Sequence, residues 1–442
     1  MSSEVTYICK RTVASTKPVQ PGKFYHFSVL DRLMEKNHLR IVYYYSSKGA
    51  RKAGELTKKL RESMAEVLTC FPVVTGRLQK NSEGQWMIKC NDAGVRMVEA
   101  RARGSVDDWL RNVNREKERK LVYWEDMHHK PYFWSTFYVQ ITEFEEGGLA
   151  IGLSCFHLLA DPICATMFIK AWADITSAQI MLTPPYVHPL PPRRIGNMNP
   201  NHKHHTALIN HYKSSIERSI PFTTTKHVTV TLSFTDPMVR ACIAMARPPG
   251  AADPSPFAAL AGLFWVCVSR VKGTTEGLVN MSICLDMRKE LGLDKGFFGN
   301  CLVYNKVQAD SFDENKLSGA AEAIGEVVRK MDNEGIMDLI EWLGQNDSRI
   351  SPPLMNGCEL ICANLEGLDS CSAAFEEGLT PSRISCYVEP ALGEGQILVL
   401  PSSTSEGPLS RMIMATLTED EAVRLCEDDV ILSFSPTILM GA

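Results

Sequence analysis

A histidine stands directly after an apolar strand candidate, where it could act as a base. The apolar segment Leu149–Cys155 leads to His157, and Asp161 and Pro162 follow. Because the ordinary pKa of histidine lies near neutrality, its ring can take a proton from a hydroxyl or an amine at working pH. The spacing indicates a general base between a strand and a helix, a common place for a site in an α/β fold. The alternative is a core histidine whose ring nitrogens are both satisfied.

Asp161 supports two interpretations. An aspartate directly before a proline is typical of a helix N-terminus, with Asp161 as the N-cap and Pro162 in the first turn. A carboxylate in this place could instead orient His157, as the third member of a catalytic triad does. The sequence shows no Gly-x-Ser-x-Gly motif, P-loop or dinucleotide glycine fingerprint. If the protein is a transferase, direct transfer without a covalent enzyme intermediate is therefore favoured.

Strand and helix candidates mix in both halves of the chain, and these elements must position the histidine. Apolar residues at three- and four-residue spacing predict a helix over Gly54–Cys70. Alternating residues predict a strand over Phe137–Phe144. Two more strands, Trp86–Cys90 and Val95–Ala100, are predicted on either side of the turn Asn91–Gly94.

A proline-rich stretch divides the chain. Prolines recur over Pro184–Pro200, which disfavours a helix or a central strand, and a histidine-rich run at 202–205 follows. The histidines could bind a metal, but a solvated linker is favoured and no metal site is expected. The sequence therefore predicts an α/β protein with a first domain over 1–181, a crossover linker over 182–225 and a second domain over 226–442.

Composition and charge disfavour several classes of protein. The net charge is −4 with interspersed signs, so there is no basic stripe of the kind that binds nucleic acid or an anionic membrane. The longest apolar run, 257–268, is too short to span a bilayer. The first residues carry no secretory signal, and the 14 cysteines are scattered without a CxxC pair. We therefore expect a cytoplasmic protein with reduced thiols and no transmembrane segment.

These residues form part of a wider pattern that resembles the plant BAHD acyltransferases. His157-Leu-Leu-Ala-Asp161 matches their His-x-x-x-Asp motif, which alone is a weak signal. Pro256–Lys272 is similar to the family's buried helix that carries a tryptophan. Other landmarks follow in family order over almost the whole chain, namely Phe71–Leu78, Cys90-Asn91, Gly94, Val98–Ala100, Gly147-Gly148, Asp286–Arg288, Phe298–Asn300 and Leu400–Ser402.

The resemblance implies a fold and an activity. The fold would have two chloramphenicol-acetyltransferase-like domains, each a mixed β-sheet flanked by helices, with a channel between them for acyl-CoA and a small acceptor. His157 would be the catalytic base that deprotonates the hydroxyl or amine of the acceptor, whose attack on the thioester creates an oxyanion. Asp161 would be structural and would pair with Arg288. No bound cofactor is implied, since acyl-CoA is a co-substrate, and a monomer is expected.

One departure concerns the family's second motif, Asp-Phe-Gly-Trp-Gly. The corresponding stretch keeps only its phenylalanine and its last glycine, Phe375 and Gly378. In the family this loop supports the domain interface and does not touch the reacting atoms. Phe375 and Gly378, with Asn300, are therefore assigned to channel or loop positions. Met34, Phe298 and Phe375 could line the channel, but core packing is the favoured interpretation for each.

The departure is similar to that of one subgroup, the eceriferum and glossy-type proteins of wax synthesis. The stretches Asp31–Tyr45, Ile88–Ala100 and Tyr138–Ser154 also resemble that subgroup. The resemblance implies work with a condensing enzyme of the fatty-acid elongase at the endoplasmic reticulum, extending its range of chain lengths. In that role the histidine is not used as an acyltransferase uses it.

The sequence thus supports two hypotheses. An acyltransferase would lose its activity on replacement of His157, whereas an accessory protein of very-long-chain elongation would not. The intact His-x-x-x-Asp motif favours the first, and the altered second motif and the N-terminal half favour the second. The sequence names neither the acyl donor nor the acceptor.

Overall fold

The computed structural model contains strands and helices throughout the chain. It describes residues 4–20, 22–46, 54–127, 130–178, 180–192, 202–217, 226–274, 277–308, 317–346, 358–402 and 406–441. The strands are β1 Val5–Val13, β2 Phe24–His26, β3 His38–Tyr45, β4 Arg77–Lys80, β5 Trp86–Lys89, β6 Val95–Ala102, β7 Phe137–Phe144, β8 Leu149–Phe156, β9 His227–Phe234, β10 Met281–Asp286, β11 Leu302–Val307, β12 Leu360–Asn364, β13 Arg383–Glu389, β14 Gln396–Pro401, β15 Arg411–Thr418 and β16 Thr437–Met440. The helices are α1 Val29–Leu33, α2 Glu55–Leu68, α3 Val106–Arg111, α4 Arg115–Arg119, α5 Pro162–Ala178, α6 His202–Glu217, α7 Asp236–Ala246, α8 Pro256–Val271, α9 Leu317–Lys330, α10 Asn333–Gln345, α11 Glu419–Cys426 and α12 Asp429–Ser433, with a 3₁₀ turn at Pro131–Phe133.

The described chain forms two compact units, and neither is one continuous stretch of sequence. Unit 1 consists of Met1–Pro189, Asp294–Asn300 and Asp369–Glu389, and unit 2 of Leu190–Leu293, Cys301–Leu368 and Pro390–Ala442. This differs from the predicted boundaries 1–181, 182–225 and 226–442. The physical reason is strand pairing, because β13 comes from late in the chain and pairs antiparallel with β3 of unit 1.

The sheet of unit 1 has the order β1-β6-β7-β8-β3-β13. β8 lies inside it, antiparallel to both β7 and β3, and each of its residues is buried. The predicted helix over 54–70 is α2, whose buried side chains recur at helical spacing. α2 packs against α5, where the Trp172 indole N–H donates to the Leu60 carbonyl (3.0 Å) and the Ser63 hydroxyl (3.1 Å).

β5 and β6 are strands, as predicted, but they belong to different sheets. β5 lies between β2 and β4 in a three-stranded sheet, whereas β6 joins the large sheet of unit 1. The Arg77 guanidinium fixes the intervening turn by donating to the carbonyls of Ala93 (2.9 Å) and Gly94 (2.7 Å). Gly94 has a φ of +78°, and a Cβ there would lie 2.4 Å from the Val13 carbonyl oxygen. The turn therefore passes the chain from one sheet to another and does not close a hairpin.

Unit 2 contains a mixed sheet with the order β11-β10-β12-β14-β15-β9-β16. β10, β12 and β14 run parallel to one another, and the remaining pairs are antiparallel. The apolar helix α8 is buried as predicted, and the Trp265 indole N–H donates to the Val279 carbonyl at 2.8 Å. Of the helices among the described residues, none is long and apolar enough to cross a bilayer.

The predicted linker 182–225 contains a helix, α6, which corrects the expectation of an irregular crossover. The prolines of 184–200 precede this helix, in which Leu208 and Tyr212, four residues apart, are both buried. The Tyr212 hydroxyl accepts a hydrogen bond from the Tyr304 N–H (2.9 Å) in β11, which lies at the edge of the sheet. The side chains of residues 202–205, for which a metal role was weighed, lie outside the described residues.

Candidate active site

His157 directly follows β8 and therefore lies at the end of a strand of the unit 1 sheet. The backbone N–H of His157 donates to the Asn37 carbonyl, 3.0 Å away and directly before β3. The side chain is fully buried. The ring of His157 is therefore held at a fixed place where a buried strand passes into a turn and then into α5.

Asn300 determines which nitrogen of His157 carries a proton. The His157 Nδ1 lies 2.9 Å from the Asn300 Oδ1. The Asn300 Nδ2 faces the His157 backbone carbonyl (2.9 Å), which only accepts, so this atom is the amide nitrogen and the opposite atom is the oxygen. The Asn300 oxygen then accepts the Nδ1–H of His157. In a neutral imidazole this leaves Nε2 with an unshared pair.

The Nε2 of His157 is buried and has no hydrogen-bond partner among the residues that the structure describes. Burial lowers the pKa of His157 below its ordinary value of 6.5, and the Asp161 carboxylate partly offsets this effect. The ring is therefore neutral at physiological pH, and its Nε2 is unprotonated. This is the state that a general base needs before it accepts a proton.

Asp31 holds Asn300 in turn. Its Oδ1 accepts from both the backbone N–H and the Nδ2 of Asn300, each at 2.8 Å. Its Oδ2 accepts from the Ser28 N–H (2.7 Å), and the Asp31 N–H donates to the Ser28 hydroxyl (3.1 Å), which forms a capping box at the start of α1. Burial raises the pKa of Asp31, and the hydrogen bonds from Asn300 oppose that rise.

Asp161 caps α5, as the sequence predicts. Its Oδ1 accepts from the Cys164 N–H at 2.9 Å, and its side chain is buried. The Cys164 thiol in turn accepts from the Gly299 N–H at 3.2 Å, next to Asn300. Asp161 thus supports the site through the first turn of α5.

Arg288 lies in unit 2, directly after β10. Its guanidinium pairs with Asp286 at 2.8 Å, and its side chain is almost fully buried. Asp161 belongs to unit 1. The pairing of Asp161 with Arg288 that the family resemblance implies stays a prediction.

Phe375 and Gly378 lie in the irregular connection between β12 and β13. The Phe375 ring is fully buried and packs edge-to-face on Trp172 (4.8 Å between centroids) and Tyr45 (5.7 Å). Gly378 has a φ of +74°, a conformation that L side chains rarely adopt. Within unit 1, Phe375 is a core residue that anchors this loop.

The sequence did not identify Asp31 or the contact between Asn300 and His157. Asn300 was assigned to a channel or loop position, and the structure places it on the ring of the candidate base. One signal was available, because Ser28 and Asp31 have the spacing of a capping box, which marks Asp31 as a fixed carboxylate. No group of three metal-ligating side chains occurs in the part of the chain that the structure describes.

The family described as Transferase family matches residues 3–423 of the chain. ECERIFERUM 26 of Arabidopsis thaliana is 28% identical over 94% of this chain and 92% of its own length. A hydroxycinnamoyltransferase of Narcissus pseudonarcissus is 25% identical over 87% of this chain and 90% of its own. Both relatives thus match almost from end to end.

Solved structures of two proteins share the fold. Vinorine synthase superposes with a TM-score of 0.71 at 18% identity and covers 97% of this chain and 98% of its own. TRI101 of F. sporotrichioides, solved with coenzyme A and T-2, has a TM-score of 0.70 at 14% identity, covering 95% of this chain and all of its own. The predicted fold, two chloramphenicol-acetyltransferase-like α/β domains, is confirmed. The chain belongs to the transferase family of the BAHD acyl-CoA-dependent acyltransferases.

Proposed function

We propose that this protein moves an acyl group from acyl-CoA to a hydroxyl or amine of a small plant metabolite, with His157 as the general base. The observation that carries the proposal is the neutral, buried imidazole whose Nε2 is unshared while Asn300 fixes its Nδ1–H. Family membership supplies the reaction class, and TRI101, of the same fold, is known with coenzyme A bound.

The reaction would proceed in two steps. The Nε2 of His157 takes the proton of the acceptor as its oxygen or nitrogen attacks the thioester carbonyl. The tetrahedral intermediate then collapses, the bond from carbon to sulfur breaks, and the imidazolium returns the proton to the leaving thiolate of CoA. Asn300 accepts the Nδ1–H throughout, which stabilises the imidazolium between the two steps.

The remaining predicted site residues would have supporting roles. Asp161 would hold the start of α5. For Arg288, a supporting role is what the family resemblance implies. Phe375 and Gly378 would set the course of a loop that bears on the channel. We place the protein in the cytoplasm as a monomer, with acyl-CoA as a co-substrate and no bound cofactor.

The first test is the release of free CoA by purified protein, across a panel of acyl-CoAs and small hydroxyl or amine acceptors. We expect acceptor-dependent release that His157→Ala and His157→Gln lower by about 10²- to 10⁴-fold, the usual contribution of a general base. His26→Ala is the matched control, since His26 is exposed on β2 of the same unit. Release that persists undiminished in folded His157→Ala protein would contradict the assignment of the base.

A second candidate function is support of very-long-chain acyl elongation for wax synthesis, together with a condensing enzyme at the surface of the endoplasmic reticulum. It is favoured by the similarity to ECERIFERUM 26 and by the second motif, of which only Phe375 and Gly378 remain. In this role His157 is dispensable. Co-expression with a condensing enzyme and analysis of acyl chain lengths separates the two functions: His157→Ala would still extend the chains if the accessory role holds.

A further inference from the structure

Unit 1 contains an apolar cavity near the end of β8 that is farther from His157. Its volume is about 270 Å³, and its walls include Tyr45, Leu56, Phe144, Leu149 and Leu379. Leu149 begins β8 and His157 follows its end, so at about 3.3 Å per residue roughly 25 Å of strand separate them. The cavity is therefore distinct from the site of the proposed base.

The walls of this cavity are mostly apolar. Leu56, Phe144, Leu149 and Leu379 are apolar, and the Tyr45 hydroxyl is already used, donating to the Ala373 carbonyl at 2.9 Å. The volume is near the lower limit of small-molecule sites, which suits a single alkyl chain better than a ring system. Filling the cavity with methylene groups would remove apolar surface from water on both partners.

The lining of the cavity also includes three charged side chains, of which Arg101 and Glu145 are exposed at its rim and Glu143 is half-buried. Glu143 is committed to the start of α2, because its Oε1 accepts from the Thr57 hydroxyl (2.6 Å) and its Oε2 from the Gly54 N–H (3.2 Å). Arg101 lies opposite Glu143 in the register of β6 and β7.

The Arg101 side chain is exposed, and it makes no hydrogen bond or ion pair with the residues that the structure describes. A guanidinium in this state at the mouth of an apolar cavity matches a ligand with an alkyl tail and a carboxylate head, because the planar fork pairs with both carboxylate oxygens.

We propose that the cavity binds a fatty acid of medium chain length, with the alkyl chain inside and the carboxylate on Arg101. This is a second binding site, beyond the acyl transfer at His157. The acid form of an acyl group is what hydrolysis of an acyl thioester produces, so the site would sense a compound chemically related to the donor.

Calorimetric titration tests whether the cavity holds the alkyl chain. Straight-chain acids from hexanoate to tetradecanoate are titrated into the full-length protein. Each added methylene should tighten binding about fourfold until the cavity is full, after which the affinity should level off. An affinity independent of chain length, or no saturable binding, would overturn the proposal. Leu379→Phe should move the plateau to shorter acids, because it fills part of the cavity.

The head group is tested with decanoate and 1-decanol. Arg101→Gln should weaken the binding of decanoate about three- to tenfold, as expected for the loss of an exposed charge-assisted pair. The affinity for 1-decanol should stay unchanged. Arg103→Gln is the matched control, since Arg103 is also exposed but does not line the cavity.

Glu145→Gln should tighten the binding of decanoate, because it removes from the rim a negative charge that repels the carboxylate of the ligand. The Arg101 and Glu145 variants should change the affinity for decanoate in opposite directions, which distinguishes a site for an acid from a site for an amine. Changes in the reverse directions would refute the proposal. His157→Ala should bind decanoate as the native protein does, so failure of the proposed transferase function would not affect this result.

Discussion

The hydrogen bond between His157 Nδ1 and Asn300 Oδ1 decides which ring nitrogen can take a proton. Three residues from distant parts of the chain fix it: Asp31 holds the amide of Asn300, and Asn300 holds the ring of His157. Without the amide the ring could place its proton on Nε2, and the base would then be in the wrong tautomer. We therefore expect Asn300 to be a positioning residue that acts through His157.

Asn300→Leu tests this role. We expect kcat to fall about 100-fold with little change in KM, since a wrong tautomer costs much of a general base's contribution. The hydrogen bond that the His157 Nδ1–H donates to Asn300 raises the pKa of His157, so its loss should lower that pKa further below 6.5. The acid limb of the kcat/KM profile should therefore move to lower pH.

Two controls apply to the Asn300 experiment. Asn112→Leu, an exposed change in the same unit, should leave both readouts unaltered. The ring ¹⁵N shifts of His157 report the tautomer directly, and native-like shifts in a slow Asn300→Leu protein would show that the residue acts by some other route.

At the scale of the element, Glu143 joins β7 to α2. Its carboxylate accepts from the Gly54 N–H and the Thr57 hydroxyl at the start of the helix, where the backbone dipole favours negative charge. Gly54 itself offers no side-chain cap. A side chain from a neighbouring strand thus supplies what the local sequence of α2 lacks.

Glu143→Ala should lower the free energy of unfolding by about 1 kcal/mol, the usual cost of a lost helix cap. Urea denaturation of both proteins measures it. Glu62→Ala in α2 is the comparison, because Glu62 is exposed and its ion pair with Lys58 is long, at 3.9 Å. This substitution should change the free energy of unfolding by less than about 0.5 kcal/mol. Equal effects of the two substitutions would argue against the capping role.

Residue patterns predicted elements far better than they predicted partners. The spacing in α2 and the apolar run of β8 are local signals, so both elements were found. The separation of β5 from β6 depends on Arg77, which holds a turn sixteen and seventeen residues away. The candidate base was predicted from its motif, but Asn300 is 143 residues from it, and no local pattern records such a contact.

At the scale of the whole molecule, Glu389 fastens β13 to the sheet of unit 1. The carboxylate is buried and lies within 3.3 Å of four basic side chains, from His38, Arg40, Arg115 and Arg119. Burial alone would raise the pKa of Glu389, but the hydrogen bond to His38 and the charges of Arg40 and Arg115 hold it well below 4.5. This ion-pair network joins β13 to β3 and α4.

Glu389→Gln should destabilise the protein by about 3 kcal/mol at pH 7, because three guanidinium groups lose their common partner. The native carboxylate contributes stability above its unfolded pKa of 4.5 and loses it as the pH falls below that value. The difference between the urea denaturation midpoints of the native protein and the Glu389→Gln variant should therefore narrow below pH 4.5. Arg119→Gln, at a half-exposed side chain, should cost less than about 1 kcal/mol. A gap that stays constant with pH would rule out the ionic explanation.

The late arrival of β13 also has a consequence during synthesis of the chain. The edge of β3 that β13 covers is unpaired when β3 leaves the ribosome. Its partner follows roughly 340 residues later, which takes on the order of half a minute at about 10 residues per second. Throughout that interval a long, largely apolar strand presents unpaired amides and carbonyls to the cell. Nascent chains of this protein should therefore need chaperone cover until residue 389 has emerged.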